Sequence, residues 1–233
     1  MTNIDSLILG IVEGITEFLP ISSTGHLILA AKSLGLETTE FLKSFQVIIQ
    51  LGAIAAVVVL YFKTFFRITD LKKIIIGAVP AAIIGLGLYS VIKNNLLTSD
   101  KVVIWAMLIG GILLIIFELI YKGPDVSDEE VKEITYKQAF FIGIFQVLAI
   151  IPGVSRSAAT IIGGLLLGIP RRTVVEFSFL LAVPTIAGAS ALDIYNNPSV
   201  FSGNNFLLLG IGFITSFIVA IISIKFLLRF VKN

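Results

Sequence analysis

Apolar residues fall along this chain in long blocks separated by short polar connectors. Phe45 to Phe62, Ile74 to Ile92, Val102 to Tyr121 and Phe206 to Phe226 each run far enough to cross a bilayer unaided, against a need of roughly 17 to 25 residues. Phe177 to Tyr195 predicts a fifth spanning helix. Four apolar pieces are shorter: Leu7 to Leu19, His26 to Leu34, Gln138 to Ile151 and Ser157 to Leu167. At about 1.5 Å of rise per residue, none of them traverses a hydrocarbon core of roughly 30 Å. They come as two pairs, interrupted by Pro20-Ile-Ser-Ser-Thr-Gly25 and by Pro152-Gly-Val-Ser-Arg-Ser157. Each pair predicts a re-entrant hairpin. Irregular backbone at membrane depth persists only where protein or a water-filled cavity satisfies its polar groups, so both breaks are site candidates.

The two halves resemble each other. Gly10-Ile-Val-Glu13 aligns with Gly143-Ile-Phe-Gln146, Phe45 to Ala55 with Phe177 to Ala187, and Gly77 with Gly210, at offsets of 133, 132 and 133. The expected fold is an all-α polytopic membrane protein in a single membrane domain over residues 1–233, made of two inverted-topology repeats. Each repeat is a re-entrant helical hairpin followed by spanning helices, and an odd number of spans between the hairpins inverts the second. Repeat one covers about 1–121, a cytosolic connector about 122–137, and repeat two about 138–233. By the repeat spacing, the counterpart of Val102 to Tyr121 would start near position 235, so the last spanning helix is absent from the sequence.

Composition sharpens this picture. The chain is 57% hydrophobic and 14% charged, with a mean hydropathy of +1.03, which excludes a soluble globule. With no cysteine and one histidine, disulfides, thiolate nucleophiles and a His-rich metal cage are excluded. Met1 to Leu19 lacks a basic leader region and carries Glu13 and Glu17, so it is expected to belong to the mature fold. Threaded through a bilayer, the connectors on one side carry twelve Lys and Arg residues and those on the N-terminal side four. The positive-inside rule then puts the N-terminus and the mouth of the first hairpin outside the cytoplasm. Asp125 to Glu133 is expected to be a solvated connector and Trp105 an interfacial anchor.

Glu13 and Glu17 stand four residues apart, so a helix projects both carboxylates from one face. A lone acid at the bilayer centre costs about 2.5 to 3.5 kcal/mol, and two demand a cation, a metal or a shared proton, unless the hairpin is shallow enough to meet water. Ser22, Ser23 and Thr24 precede His26, where a hydroxyl either caps the next helix or serves as nucleophile beside a proton carrier. At the second tip Ser155, Arg156 and Ser157, with Thr160 one turn on, offer a guanidinium fork and a helix N-terminus to phosphate oxygens. The alternative for Arg156 is a pair with Glu13 or Glu17. Gln46 and Gln50, four apart on a spanning helix, line the cavity or bond between helices.

The strings Glu13-Gly-Ile-Thr-Glu17-Phe-Leu-Pro-Ile-Ser-Ser-Thr-Gly-His26 and Pro152-Gly-Val-Ser-Arg-Ser-Ala-Ala-Thr160 resemble the two signature motifs of the undecaprenyl-diphosphate phosphatase, or bacitracin-resistance, family. The resemblance extends over nearly the whole chain, including Phe45 to Gly52 and Glu176 to Pro184. It implies hydrolysis of undecaprenyl diphosphate to the monophosphate and phosphate, which recycles the lipid carrier of peptidoglycan synthesis at the outer face of the bacterial plasma membrane. In it Glu13 and Glu17 match the family's acidic pair, Ser22, Ser23 and His26 its catalytic hydroxyls and histidine, and Ser155, Arg156, Ser157 and Thr160 its phosphate-binding motif. With the residue reading above, catalysis is expected of Glu17, Ser23, His26 and Arg156, and phosphate binding of Ser22, Thr24, Ser155, Ser157 and Thr160. A divalent cation, Mg or Ca, would bridge Glu13 and Glu17. In the expected mechanism Ser23 attacks the terminal phosphorus while His26, oriented by Glu17, moves the proton, with serine against histidine as nucleophile left open. The partners are a polyprenyl diphosphate lipid and the bilayer, without nucleic acid, and a homo-oligomer is left open. Members of the family end with another spanning helix, whereas this sequence stops at Phe230-Val-Lys-Asn233. The rival expectation is an inverted-repeat transporter or lipid flippase, which needs no nucleophile.

Overall fold

The computed structural model describes residues 1–88, 100–121, 133–198 and 205–232, and among these every regular element is helical. In chain order they are α1 (Asn3–Thr16), α2 (Ser23–Ser33), α3 (Glu40–Leu60), the one-turn α4 (Phe62–Phe65), α5 (Ile68–Gly87), α6 (Asp100–Ile120), α7 (Tyr136–Gln146), α8 (Arg156–Leu166), α9 (Arg171–Asn196) and α10 (Asn205–Lys232). A 3₁₀ turn over Val147–Ile150 extends α7 towards the second break. The short helices α1, α2, α7 and α8 fall where the four short apolar pieces predicted them.

Among the described residues four helical stretches have the length and composition to cross a membrane: Glu40–Leu60, Lys101–Ile120, Arg171–Asn196 and Asn205–Phe230. The stretch Ile74 to Ile92 was also expected to span. It begins on α5, after the charged Asp70, Lys72 and Lys73 of that helix's first turns, and its residues 89–92 lie outside those described. Of the connector 125–133 only Glu133 is described, 3.4 Å from Lys73 Nζ. Trp105 is exposed on α6, as a lipid-facing anchor is.

Burial reverses the soluble pattern. On α1 the inward face is Ser6, Gly10, Glu13 and Gly14 together with Leu9, while Ile4, Leu7, Ile11 and Ile15 face outward. The outer faces of α5, α6 and α10 are likewise Ile, Leu and Phe. An apolar exterior over that much surface is stable only against lipid. The interior contains two apolar clusters. One, around Phe18, Val57, Ile142, Phe179 and Leu181, joins α3, α7, α9 and α10 to the first tip. The other, around Leu9, Leu27, Phe45 and Ile49, fastens α1 and α2 to α3.

The packing partners fall into matched pairs: α1 on α2 and α7 on α8, α1 on α10 and α7 on α5, α3 on α10 and α9 on α5. Glycine permits two of these crossings. A Cβ at Gly143 would press into the carbonyl of Gly77, and one at Gly52 into that of Phe213, so α7 meets α5, and α3 meets α10, backbone to backbone. The helix caps match as well. Thr2 with Asp5 and Thr135 with Gln138 each form a capping box, and the Ser22 and Ser155 side chains cap α2 and α8, every pair being 133 residues apart. On α2, Gly25 takes the sulfur of Met107 from α6. Its counterpart Ala158 instead lines a groove of about 360 Å³ that runs along α8 from Leu19 and Pro20 to Glu118 and Arg171.

Candidate active site

The turn after α1 carries Glu17, and the two hairpin tips meet there. Ser157 Oγ donates to the carbonyl of Leu19 at 2.8 Å, tying the second tip to the first. Phe18, next to Glu17, packs edge-on against Phe179 of α9, ring centres 5.1 Å apart, and both rings are fully buried. Chemistry-bearing side chains from α1, α2, α8 and α9 are thereby brought together.

Glu17 is at the centre. Its Oε2 accepts from Ser23 Oγ at 2.5 Å and its Oε1 from Arg156 Nη2 at 2.8 Å. The ion pair is almost dry, with side-chain exposures of 12% for Arg156 and 6% for Glu17. Arg156 Nη1 donates in turn to the Ser178 carbonyl at 2.8 Å. The pairing of Arg156 with Glu17, set beside phosphate binding as its alternative, is therefore present. It does not exhaust the guanidinium, because the buried Nε has no partner.

His26 departs from expectation. Its Nδ1 lies 2.8 Å from the Ser22 carbonyl, which makes Nδ1 the donor, so that in the neutral ring the lone pair is on Nε2. The ring is oriented by Ser22, and Glu17 is instead the acceptor for the Ser23 hydroxyl. The expectation that Glu17 orients His26 is corrected. The cause is local: Ser22, at φ 66°, is the one described non-glycine residue with positive φ, and this turn aims its carbonyl back over the first turn of α2. Such a conformation costs on the order of 1 to 3 kcal/mol and concentrates at working sites.

An inventory of protons separates the hydroxyls. Ser22 Oγ accepts from the Gly25 amide at 3.4 Å and keeps its own proton, and Thr24, partly exposed, makes no hydrogen bond. Ser155 Oγ accepts from the Ala158 amide at 3.2 Å and lies 3.0 Å from Ser157 Oγ. Since Ser157 gives its proton to Leu19, Ser155 must donate to Ser157, and neither has a proton left for an anion. Thr160 is wholly buried and bonds to the Arg156 and Ser157 carbonyls at 2.9 and 3.1 Å and to Ser178 Oγ at 2.7 Å. Free donors thus gather on Ser22, Thr24 and Arg156, while Ser155, Ser157 and Thr160 fix the tip that carries Arg156.

Glu13 is fully buried and neither of its carboxylate oxygens has a hydrogen-bond partner. It lies within electrostatic reach of Glu17 and Arg156. Among the described residues no group of three or more His, Cys, Asp or Glu side chains is placed to hold a metal. Gln46 and Gln50 are half-buried without hydrogen bonds. Ser178 was not singled out in the sequence. The signal was the repeat, which aligns it at an offset of 132 with Gln46.

A helical body with an apolar exterior that joins a serine, a carboxylate and a guanidinium between two hairpin tips, with an imidazole in the first turn of α2, defines an integral membrane protein with groups suited to phosphoryl chemistry. The chain belongs to the bacitracin resistance protein BacA family, whose model matches residues 6–233. An undecaprenyl-diphosphatase of Sulfurihydrogenibium is 50% identical over 233 residues, covering 100% of this chain and 92% of its own length. The undecaprenyl-diphosphatases of Aquifex aeolicus and of a Campylobacter jejuni strain are each 50% identical across the whole of this chain, and it covers 91% and 87% of them.

Proposed function

We propose that this protein is a membrane phosphatase that hydrolyses undecaprenyl diphosphate to undecaprenyl phosphate and phosphate, and so recycles the carrier of cell-wall synthesis and confers bacitracin resistance. The observation that carries this reading is Ser23 Oγ held 2.5 Å from a carboxylate beside an arginine with an unpartnered Nε. Transport would require neither.

Ser23 Oγ attacks the terminal phosphorus and passes its proton to Glu17 Oε2 as the phosphoserine forms. The bridging P–O bond breaks, and undecaprenyl phosphate leaves as a stable anion. Water then attacks the phosphoserine, giving its proton to His26 Nε2; the P–Oγ bond breaks, Ser23 regains its proton from Glu17, and phosphate leaves as His26 returns its proton to solvent. Arg156, Ser22, Thr24 and the first amides of α2 hold the phosphoryl oxygens as charge spreads over them. The free Nε2 lone pair also suits His26 itself to attack.

The two unsatisfied oxygens of Glu13 would suit a hard divalent cation, Mg or Ca, as such ions are commonly bound by one or two carboxylates and substrate phosphates. Glu13 would hold it, with Glu17 engaged elsewhere, and the ion would supply charge neutralisation. Glu13→Gln is then expected to raise the cation concentration for half-maximal activity by about tenfold or more. An unchanged cation dependence removes Glu13 as the ligand.

The matched caps and packing pairs support two inverted repeats in one domain, with the first tip reached from the extracytoplasmic face of the plasma membrane. No cysteine is present, so single cysteines report sidedness. At Glu37, between α2 and α3, a cysteine is expected to react with an impermeant reagent from outside, and at Lys137 on α7 only from inside. Labelling of both from one side overturns the inversion.

Phosphate release from undecaprenyl diphosphate tests the function, using purified protein in detergent and then in sealed vesicles of known sidedness. A folded protein that releases none across a range of divalent cations refutes the phosphatase and restores the transporter.

A further inference from the structure

We infer that Ser178 is a positioning residue for Arg156, setting the plane of the guanidinium that the phosphate meets. This rests on the phosphatase reading and extends it to a side chain outside both signature strings.

Ser178 is fully buried on α9, across the site from both tips. Its carbonyl accepts from Arg156 Nη1 at 2.8 Å, and its hydroxyl oxygen lies 3.5 Å from the same nitrogen and 2.7 Å from Thr160 Oγ1. The proton order is fixed by elimination. Thr160 has a single proton, directed to the Arg156 and Ser157 carbonyls, so the Ser178 proton goes to Thr160 and its lone pairs turn to the guanidinium. The short chain Ser178 to Thr160 to the Arg156 carbonyl therefore links the head group of Arg156 to its own backbone.

One anchor would leave the guanidinium free to swing about Glu17. Two anchors fix its plane and with it the direction of the unpartnered Nε: Glu17 on Nη2 and, on Nη1, the Ser178 carbonyl, which the Ser178 hydroxyl keeps in place through its bond to Thr160. The Phe18–Phe179 contact holds the residues next to Glu17 and Ser178 at a constant spacing. Phosphoryl transfer is sensitive to such placement, since a misplacement of about 1 Å costs up to roughly 100-fold.

The test is steady-state phosphate release by the purified full chain. Ser178→Ala keeps the carbonyl and loses the hydroxyl. It is expected to lower kcat about tenfold with KM within about twofold and with the thermal unfolding midpoint unchanged. Ser178→Thr, which keeps the hydroxyl, is expected to return kcat to near wild type. Thr160→Val cuts the chain at its other end and carries the test if Ser178→Ala does not fold; the same kcat-only loss is expected. A wild-type kcat in Ser178→Ala, a loss confined to KM, or a loss that Ser178→Thr fails to restore overturns the proposal. Inactive but folded wild type refutes the phosphatase, whereas active wild type with an indifferent Ser178→Ala refutes only the positioning role.

Discussion

Arg156→Ala is expected to abolish phosphate release and to destabilise the protein, by about 3 to 5 kcal/mol for a buried pair broken from one side. Both partners are nearly dry, so the change leaves the Glu17 carboxylate in an apolar interior with no cation opposite. It also removes the group that joins α8 to α9 through Ser178. Calorimetry or denaturant unfolding in detergent measures the loss of stability, and release assays the loss of activity. Adding Glu17→Gln is expected to recover part of the stability, because the stranded charge is gone, and none of the activity. Full stability of the single variant would mean that the pair carries little of the fold. Arg156→Lys should not substitute well, since one ammonium cannot span Glu17 and Ser178 in a fixed plane.

Ser23→Ala is expected to lower kcat on the order of 10³-fold or more, the scale at which loss of a nucleophile is felt. Its effect on stability is expected to be small, about 1 kcal/mol for one hydrogen bond, because Glu17 retains Arg156. His26→Gln complements it. With Nε2 absent, attack by Ser23 continues and water loses its base, so acid-stable phosphoserine should accumulate at Ser23 after a burst of undecaprenyl phosphate. Acid-labile phosphohistidine in the wild type, together with a Ser23→Ala variant turning over normally, would transfer the nucleophile's role to His26.

Much of the architecture was legible without coordinates. The short apolar pieces around Pro20 and Pro152 are the packed helix pairs α1 with α2 and α7 with α8, each broken at its Pro, Gly and Ser residues. The 133-residue offset seen in Gly10 and Gly143 reappears in the caps Thr2 and Thr135 and Ser22 and Ser155. Those threonines were overlooked because a capping box is recognisable only once the helix start is placed.

The site was legible as an inventory and not as a wiring diagram. Glu17, Ser23, His26 and Arg156 were all named, yet spacing along a helix does not tell which of two acids an arginine 139 residues away will reach. Nor does it reveal that His26 turns to the Ser22 carbonyl, which depends on one positive φ in the turn.

By itself, the sequence determined that this protein lives in a membrane, that its polypeptide breaks at two polar tips, and which side chains those tips carry, since these follow from composition and local periodicity. Only the tertiary structure decided that Glu17 is shared between Ser23 and Arg156, that Glu13 is buried without a partner, and that Ser178 joins the site. Those outcomes depend on which helices cross and how closely. Gly52 and Gly143 allow backbone contact there, and Phe18 and Phe179 fix the distance between the first tip and α9.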